Sequence, residues 1–143
     1  MQQYFSETFQ RLFGGGNGEI SLSNPSDPLN CGIEIIVQPP GKKRQLLSLF
    51  SGGERALTAI AILFAMLKLK PTPFCILDEI EAALDDANIS YFADYLKEFS
   101  KDTQFIVVTH RKGTMERCDT LFGVAMEERG ISSMVSVNLK DYQ

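Results

Sequence analysis

Apolar positions along the chain fall into two alternating rhythms, one helical and one extended. Phe5, Phe9, Leu12 and Phe13 recur at helical spacing and stop at Gly14-Gly15-Gly16, which predicts an amphipathic helix closed by a glycine C-cap. Ile20 and Leu22, then Ile33, Ile35 and Val37, alternate with polar neighbours on either side of the turn Asn24-Pro25-Ser26-Asp27-Pro28. They predict an antiparallel β element that ends at Pro39-Pro40-Gly41, where ladder donors run out. The stretch Ala56–Leu67 is apolar almost all round and predicts a helix buried on several sides, with Pro71 as its stop.

Beyond Pro71 the run Phe74-Cys75-Ile76-Leu77 is continuous and apolar, the pattern of a parallel strand covered on both faces. Ile89, Phe92, Leu96 and Phe99 then form one helical stripe, with Asp85 or Asp86 as the cap. Phe105-Ile106-Val107-Val108 is a second buried strand, so strand, helix and strand make a right-handed parallel crossover. A short helical piece from about Lys112 to Cys118 precedes two strands, 121–126 and 134–139, with Gly130 breaking between them. No internal repeat and no sustained heptad is present. The expectation is one α/β domain with a mainly parallel sheet flanked by helices and a short antiparallel β element near the N-terminus.

Composition narrows the class. At 143 residues, 44% hydrophobic and 22% charged, the chain is long enough for one real core. Its net charge of -4 excludes a surface that is basic throughout, so any DNA role is local or shared with a partner. Cys31, Cys75 and Cys118 are scattered and read as reduced thiols of a cytosolic protein, and with His110 as the single histidine a structural zinc site is not expected. The apolar run at 56–67 is too short to span a bilayer, and no membrane association is expected.

Three places carry candidate chemistry. Ser51-Gly52-Gly53-Glu54 opens the long helix, where outward backbone N–H groups and the helix dipole favour a phosphate. Ser51 and Glu54 also have the spacing of a capping box, which needs no ligand, although capping leaves Gly52 and Gly53 unexplained. Asp78-Glu79 ends the first buried strand, as a Mg²⁺ carboxylate followed by a water-polarising glutamate would, or as two solvated acids would. His110 ends the second strand, either beside the same site or as a structural hydrogen-bonding residue. Lys42-Lys43-Arg44 is the one run of three like charges, a solvated loop or a phosphate contact. No G-x-x-x-x-G-K-[ST] occurs, so the chain holds no P-loop. The order of the three places is what a split nucleotide site would need.

Phe50-Ser51-Gly52-Gly53-Glu54-Arg55-Ala56-Leu57, Phe74–Glu79, Ala83-Leu84-Asp85 and Val107-Val108-Thr109-His110 together resemble the C-terminal lobe of the ABC-type ATPase head of structural maintenance of chromosomes (SMC) proteins. His110-Arg111-Lys112-Gly113-Thr114-Met115 resembles the bacterial branch. The resemblance covers nearly the whole chain. It implies that residues 1–16 are the root of a coiled-coil helix, 17–47 the β element, 48–70 the signature motif and its helix, and 71–143 the Walker B strand, D-loop, switch histidine and terminal strands.

By the same resemblance Ser51, Gly52 and Gly53, with Glu54, touch the γ-phosphate of ATP bound mainly by the opposite head. Asp78 holds Mg²⁺, Glu79 is the catalytic base, Asp85 belongs to the D-loop at the head–head contact, and His110 is the switch histidine. Implied partners are a P-loop-bearing N-terminal lobe of the same head, a second head in a homodimer, the winged-helix domain of a kleisin subunit, and DNA through the full complex. The implied setting is cytoplasmic and nucleoid-associated, in chromosome condensation and segregation. A kleisin-docking module without catalysis, or the head lobe of a double-strand-break repair ATPase, are the alternatives. Two departures stand out: Phe50 replaces the usual leucine before the signature serine, and Glu54 takes the place of the glutamine common in transporters.

Overall fold

The computed structural model describes residues 1–139. Helix α1 (Gln2–Phe13) buries Phe5, Thr8, Phe9 and Leu12 on one face and ends at Gly14, which adopts the left-handed conformation with φ 66°. Strands β1 (Asn17–Leu22), β2 (Ile33–Gln38) and β3 (Gln45–Leu46) form an antiparallel sheet in that order. The two-residue β3 is not foreseen from sequence because so short a segment has no measurable alternation. Gln2 fastens α1 to this sheet: its amide donates to the Gly18 carbonyl at 3.1 Å and its oxygen accepts from the Ile20 N–H at 2.6 Å.

A 3₁₀ turn (Leu47–Leu49) leads into α2 (Gly52–Leu69), followed by β4 (Phe74–Asp78), α3 (Asp86–Phe99) and β5 (Gln104–Val108). Strands β4 and β5 pair in parallel, Phe74 opposite Gln104 and Asp78 opposite Val108, with α3 as the crossover. The core lies where α1, α2, α3 and these strands converge. Phe64 of α2 is fully buried and its ring centroid sits 5.1 Å from Tyr95, 5.6 Å from Phe99, 6.0 Å from Phe105 and 6.2 Å from Phe92. One aromatic side chain thereby joins α2, α3 and β5. The buried pair Thr8 Oγ1 and Tyr95 Oη, 3.1 Å apart, ties α1 to α3.

The α/β class and the parallel crossover pair agree with the sequence, and antiparallel pairs make up the remaining strands among the described residues. Coverage differs from expectation. Leu77 is buried beneath the helices, whereas Phe74, Ile76, Ile106 and Val108 are each about half exposed. The β4–β5 pair is therefore covered on one face and open on the other, because both long helices pack on the same side and no described element reaches the opposite one. The long helix α2 likewise buries Leu57, Ile60, Ala61, Phe64 and Ala65 but leaves Met66 and Leu69 in solvent. A short α4 (Lys112–Met115) precedes the hairpin of β6 (Thr120–Glu128) and β7 (Ile131–Asn138), in which Thr120 lies opposite Asn138 and Val124 opposite Met134.

Candidate functional site

The N-terminus of α2 is built as the capping box that the spacing allowed. Ser51 is the N-cap with extended backbone; its Oγ accepts from the Glu54 N–H at 3.4 Å. Glu54 Oε2 accepts from the Ser51 N–H at 3.3 Å and from the Ser51 hydroxyl at 2.8 Å. Glu54 Oε1 meets Lys42 Nζ at 2.7 Å. Burial pushes the Glu54 carboxyl up, but the hydrogen bonds from Lys42 and Ser51 outweigh it and hold the group below its ordinary value. Lys42 is therefore spoken for within the chain, and Arg44 is paired with Glu19. Two of the three basic residues at 42–44 have intramolecular partners, which removes much of the case for a free phosphate-binding run.

The two signature glycines have different surroundings. A Cβ on Gly53 would lie 3.2 Å from the Ala83 carbonyl oxygen, so packing within this chain accounts for a glycine there. A Cβ on Gly52 would meet nothing within 4 Å, and Gly52 and Ser51 are both exposed. Nothing in the fold requires Gly52, while a helix without it would be more stable. The Gly53 contact also places the head of α2 against the turn following β4.

At the strand ends, Asp78 closes β4 and is exposed, and Glu79 follows with φ 47°. Glu79 alone among the described non-glycine residues has a positive φ, a conformation costing about 1–2 kcal/mol for an L-residue. Its N–H donates to the Val108 carbonyl at 2.9 Å, which continues the β4–β5 ladder by one bond and fixes the unusual turn. His110 emerges just beyond β5, and its Nδ1 lies 3.3 Å from Glu79 Oε1. Both side chains are more than half exposed. The parallel register thus unites residues 31 positions apart: an exposed carboxylate and an imidazole share one hydrogen bond, an arrangement able to accept a proton from water and to orient the acceptor.

Asp78 stands near this pair in sequence, yet no group of three or more His, Cys, Asp or Glu among the described residues could hold a metal. One exposed carboxylate fits Mg²⁺, which commonly takes one or two carboxylates plus phosphate oxygens and waters. Asp78 by itself would supply a single ligand of such a set. Asp85 serves locally as the N-cap of α3, its Oδ1 accepting from the Asn88 N–H at 2.9 Å.

One acidic residue at the site was missed from the sequence. Glu81 is 1% exposed, and its Oε1 accepts from the Thr109 hydroxyl and, at 3.1 Å, from the Thr114 hydroxyl. The one signal for it was a lone charge within Ile80-Glu81-Ala82-Ala83-Leu84. Arg111 closes the other side of the histidine, donating to the Leu84 carbonyl and to Asp86 Oδ1, each at 3.0 Å. Burial pushes the Cys75 and Cys118 thiols up, which disfavours the reactive thiolate at both.

The chain resembles known proteins over nearly its whole length. Residues 22–133 match the family described as RecF/RecN/SMC N terminal domain. The chromosome partition protein Smc of Bacillus subtilis (strain 168) is 60% identical over 141 residues, which are 99% of this chain and 12% of that protein. The chain thus spans about an eighth of the length of such relatives. A structure solved in work on ATP-driven dimerization and DNA-stimulated activation of SMC ATPases superposes with a TM-score of 0.89 at 44% identity, over 99% of this chain and 85% of that one. The Smc head domain of Pyrococcus furiosus, with an extended coiled coil and bound to the C-terminal domain of ScpA, superposes with a TM-score of 0.88 at 46% identity, over 99% of this chain and 35% of that one. No helix among the described residues is long and apolar enough to cross a membrane. By sequence and by fold, this chain belongs to the RecF/RecN/SMC N terminal domain family and has the fold of an SMC head.

Proposed function

We propose that this chain is the C-terminal lobe of an ABC-type SMC ATPase head, and that it completes a composite site hydrolysing ATP between two engaged heads. The observation that carries the reading is the left-handed Glu79 at the end of β4, held against His110 across the parallel pair. Backbone strain of this kind persists where the surroundings over-determine it, and it gathers at working sites. In this reading Asp78 holds Mg²⁺, which when bound offsets negative charge on the phosphates. Glu79 takes the proton of the attacking water, and His110 orients the Glu79 carboxylate and lies beside the γ-phosphate. Ser51 and the amides of Gly52 and Gly53, with Glu54 bracing the cap, close over the γ-phosphate held by the opposite head, and Asp85 lies at the contact between heads.

The chain has no P-loop, so an N-terminal lobe must supply the phosphate cradle. Residues 1–16 are then the root of a coiled-coil arm, 17–47 its supporting sheet, 48–70 the signature segment, and 71–143 the segment bearing Asp78, Asp85 and His110. The half-open face of β4–β5 is what a lobe separated from its other half would present. The solved Smc head bound to ScpA supports a kleisin subunit as a further partner. The Smc relatives support a nucleoid-associated role in chromosome partition, with DNA engaged by the full complex.

Reconstitution tests the proposal. The chain alone should turn over no ATP, and turnover should appear when a P-loop-bearing N-terminal lobe is added. Glu79→Gln in that assembly should abolish turnover while prolonging the ATP-dependent dimer. Steady hydrolysis by the isolated chain, or full turnover by Glu79→Gln, would refute it.

A further inference from the structure

We propose, on the basis of the reading of Glu79 and His110 just given, that Glu81 is a positioning residue whose buried carboxylate holds the segment bearing His110 in the orientation at which the imidazole meets Glu79. The segment 108–111 is tied to the turn after β4 almost residue by residue. Val108 accepts from the Glu79 N–H, Thr109 donates its hydroxyl proton to Glu81, and Arg111 reaches Leu84 and Asp86. Thr109 Oγ1 donates to Glu81 Oε1 and at the same time accepts from the Arg111 N–H at 3.0 Å, so one hydroxyl links the carboxylate to the backbone beyond His110.

His110 therefore hangs between two clamped neighbours, Thr109 and Arg111, while its ring is largely exposed. The backbone on either side, rather than packing of the imidazole, sets where the ring points. Glu81 is the buried end of that anchorage.

The acid carries a cost, because its Oε2 is buried and has no hydrogen-bond partner among the described residues. An apolar side chain of similar length would remove that orphan but would leave the Thr109 and Thr114 hydroxyls without their acceptor. What an apolar residue cannot do is accept from Thr109 and Thr114 at one oxygen, joining the β5 end and α4 to the turn after β4. The residue's chemistry matches a role in geometry.

The test uses the assembled two-lobe head complex, with ATP turnover and thermal unfolding read in parallel. Glu81→Met should lower kcat at least about tenfold with KM for ATP within about twofold of wild type, with the unfolding midpoint lowered by the two hydroxyls left without an acceptor but still above the assay temperature. Thr109→Val should give the same kcat loss, Thr109→Ser should recover most of it, and the double variant Glu81→Met with Thr109→Val should be no worse than the poorer single. Should Glu81→Met fail to fold, the Thr109→Val and Thr109→Ser pair decides by itself. Wild-type kcat in folded Glu81→Met, losses that multiply in the double variant, or Thr109→Ser as slow as Thr109→Val would overturn the inference. Glu79→Gln measured alongside separates the two claims. If it is inactive, the catalytic pair stands whatever Glu81 does; if it keeps full turnover, that reading falls and this one with it.

Discussion

Replacing Gly52 by alanine sets stability against function at a single atom. Gly52 is the first residue of α2, does not have a positive φ, and a Cβ there would meet nothing within 4 Å. The substitution should stabilise the apo head by about 0.5 kcal/mol, chiefly by restricting the unfolded chain. Gly53→Ala is the internal control. It gains the same entropy, but its Cβ would sit 3.2 Å from the Ala83 carbonyl, so the turn after β4 must yield and the gain is cancelled or reversed. The two variants should differ by about 0.5–1 kcal/mol, or about 2–4 °C in unfolding midpoint for a unit of this size. In ATP turnover the order should differ if the proposed reading holds, because the added methyl would then stand where an opposing phosphate approaches the open amides. A loss of at least about tenfold in kcat/KM corresponds to about 1.4 kcal/mol of lost transition-state stabilisation. Differential scanning calorimetry and steady-state turnover on the same preparations read both quantities. A Gly52→Ala head that is more stable and fully active would show that this glycine clamps no phosphate, and one less stable than wild type would contradict the packing argument itself.

Ser51→Arg should leave ATP binding within one head intact and block ATP-dependent dimerisation of heads; gel filtration showing an unaltered dimer would remove the signature assignment. Phe64→Ala takes away a fully buried ring in contact with four other aromatics and should cost about 3–5 kcal/mol, measured by urea unfolding. The Glu54 carboxyl is held below the ordinary 4.5 of a glutamate, so the stability it contributes is fully present above that pH and is lost as pH falls through the lower folded value. Lys42→Met should therefore be slightly less stable than wild type at neutral pH, by no more than about 0.5 kcal/mol for so exposed a cation, and the two should converge in acid. A gap that widens on acidification would contradict the pairing.

The elements themselves were legible because each is encoded locally. The stripe Phe5, Phe9 and Leu12 with Gly14 behind it, the alternation through Ile33, Ile35 and Val37, and the apolar runs before Asp78 and His110 are periodicities within a dozen residues, and burial follows them. The order in which the chain presents Ser51, Asp78 and His110 was enough to point to a family before any contact was known. What lay beyond local reach depended on residues far apart in sequence. Glu79 meets His110 only because β4 and β5 pair in parallel with Asp78 opposite Val108. Glu81 finds its donors only because Thr109 and Thr114 return to it, and nothing in Ile80–Leu84 announces hydroxyls from thirty residues on.

The capping box shows the boundary most clearly. Spacing alone offered Ser51 and Glu54 as a cap or as a phosphate site, and three dimensions show the cap formed, with Lys42 recruited from the preceding turn. The two glycines look alike in sequence, yet Gly53 is crowded by the Ala83 carbonyl while Gly52 faces open space. Likewise both buried-looking strands proved open on one face, since an apolar run records a need for cover and only the arrangement of helices decides which side receives it. Sequence determined which segments are helix or strand and which of their ends bear the candidate side chains. Tertiary structure alone decided which of those ends meet, because contact is a property of how elements pack and not of the spacing within any one of them.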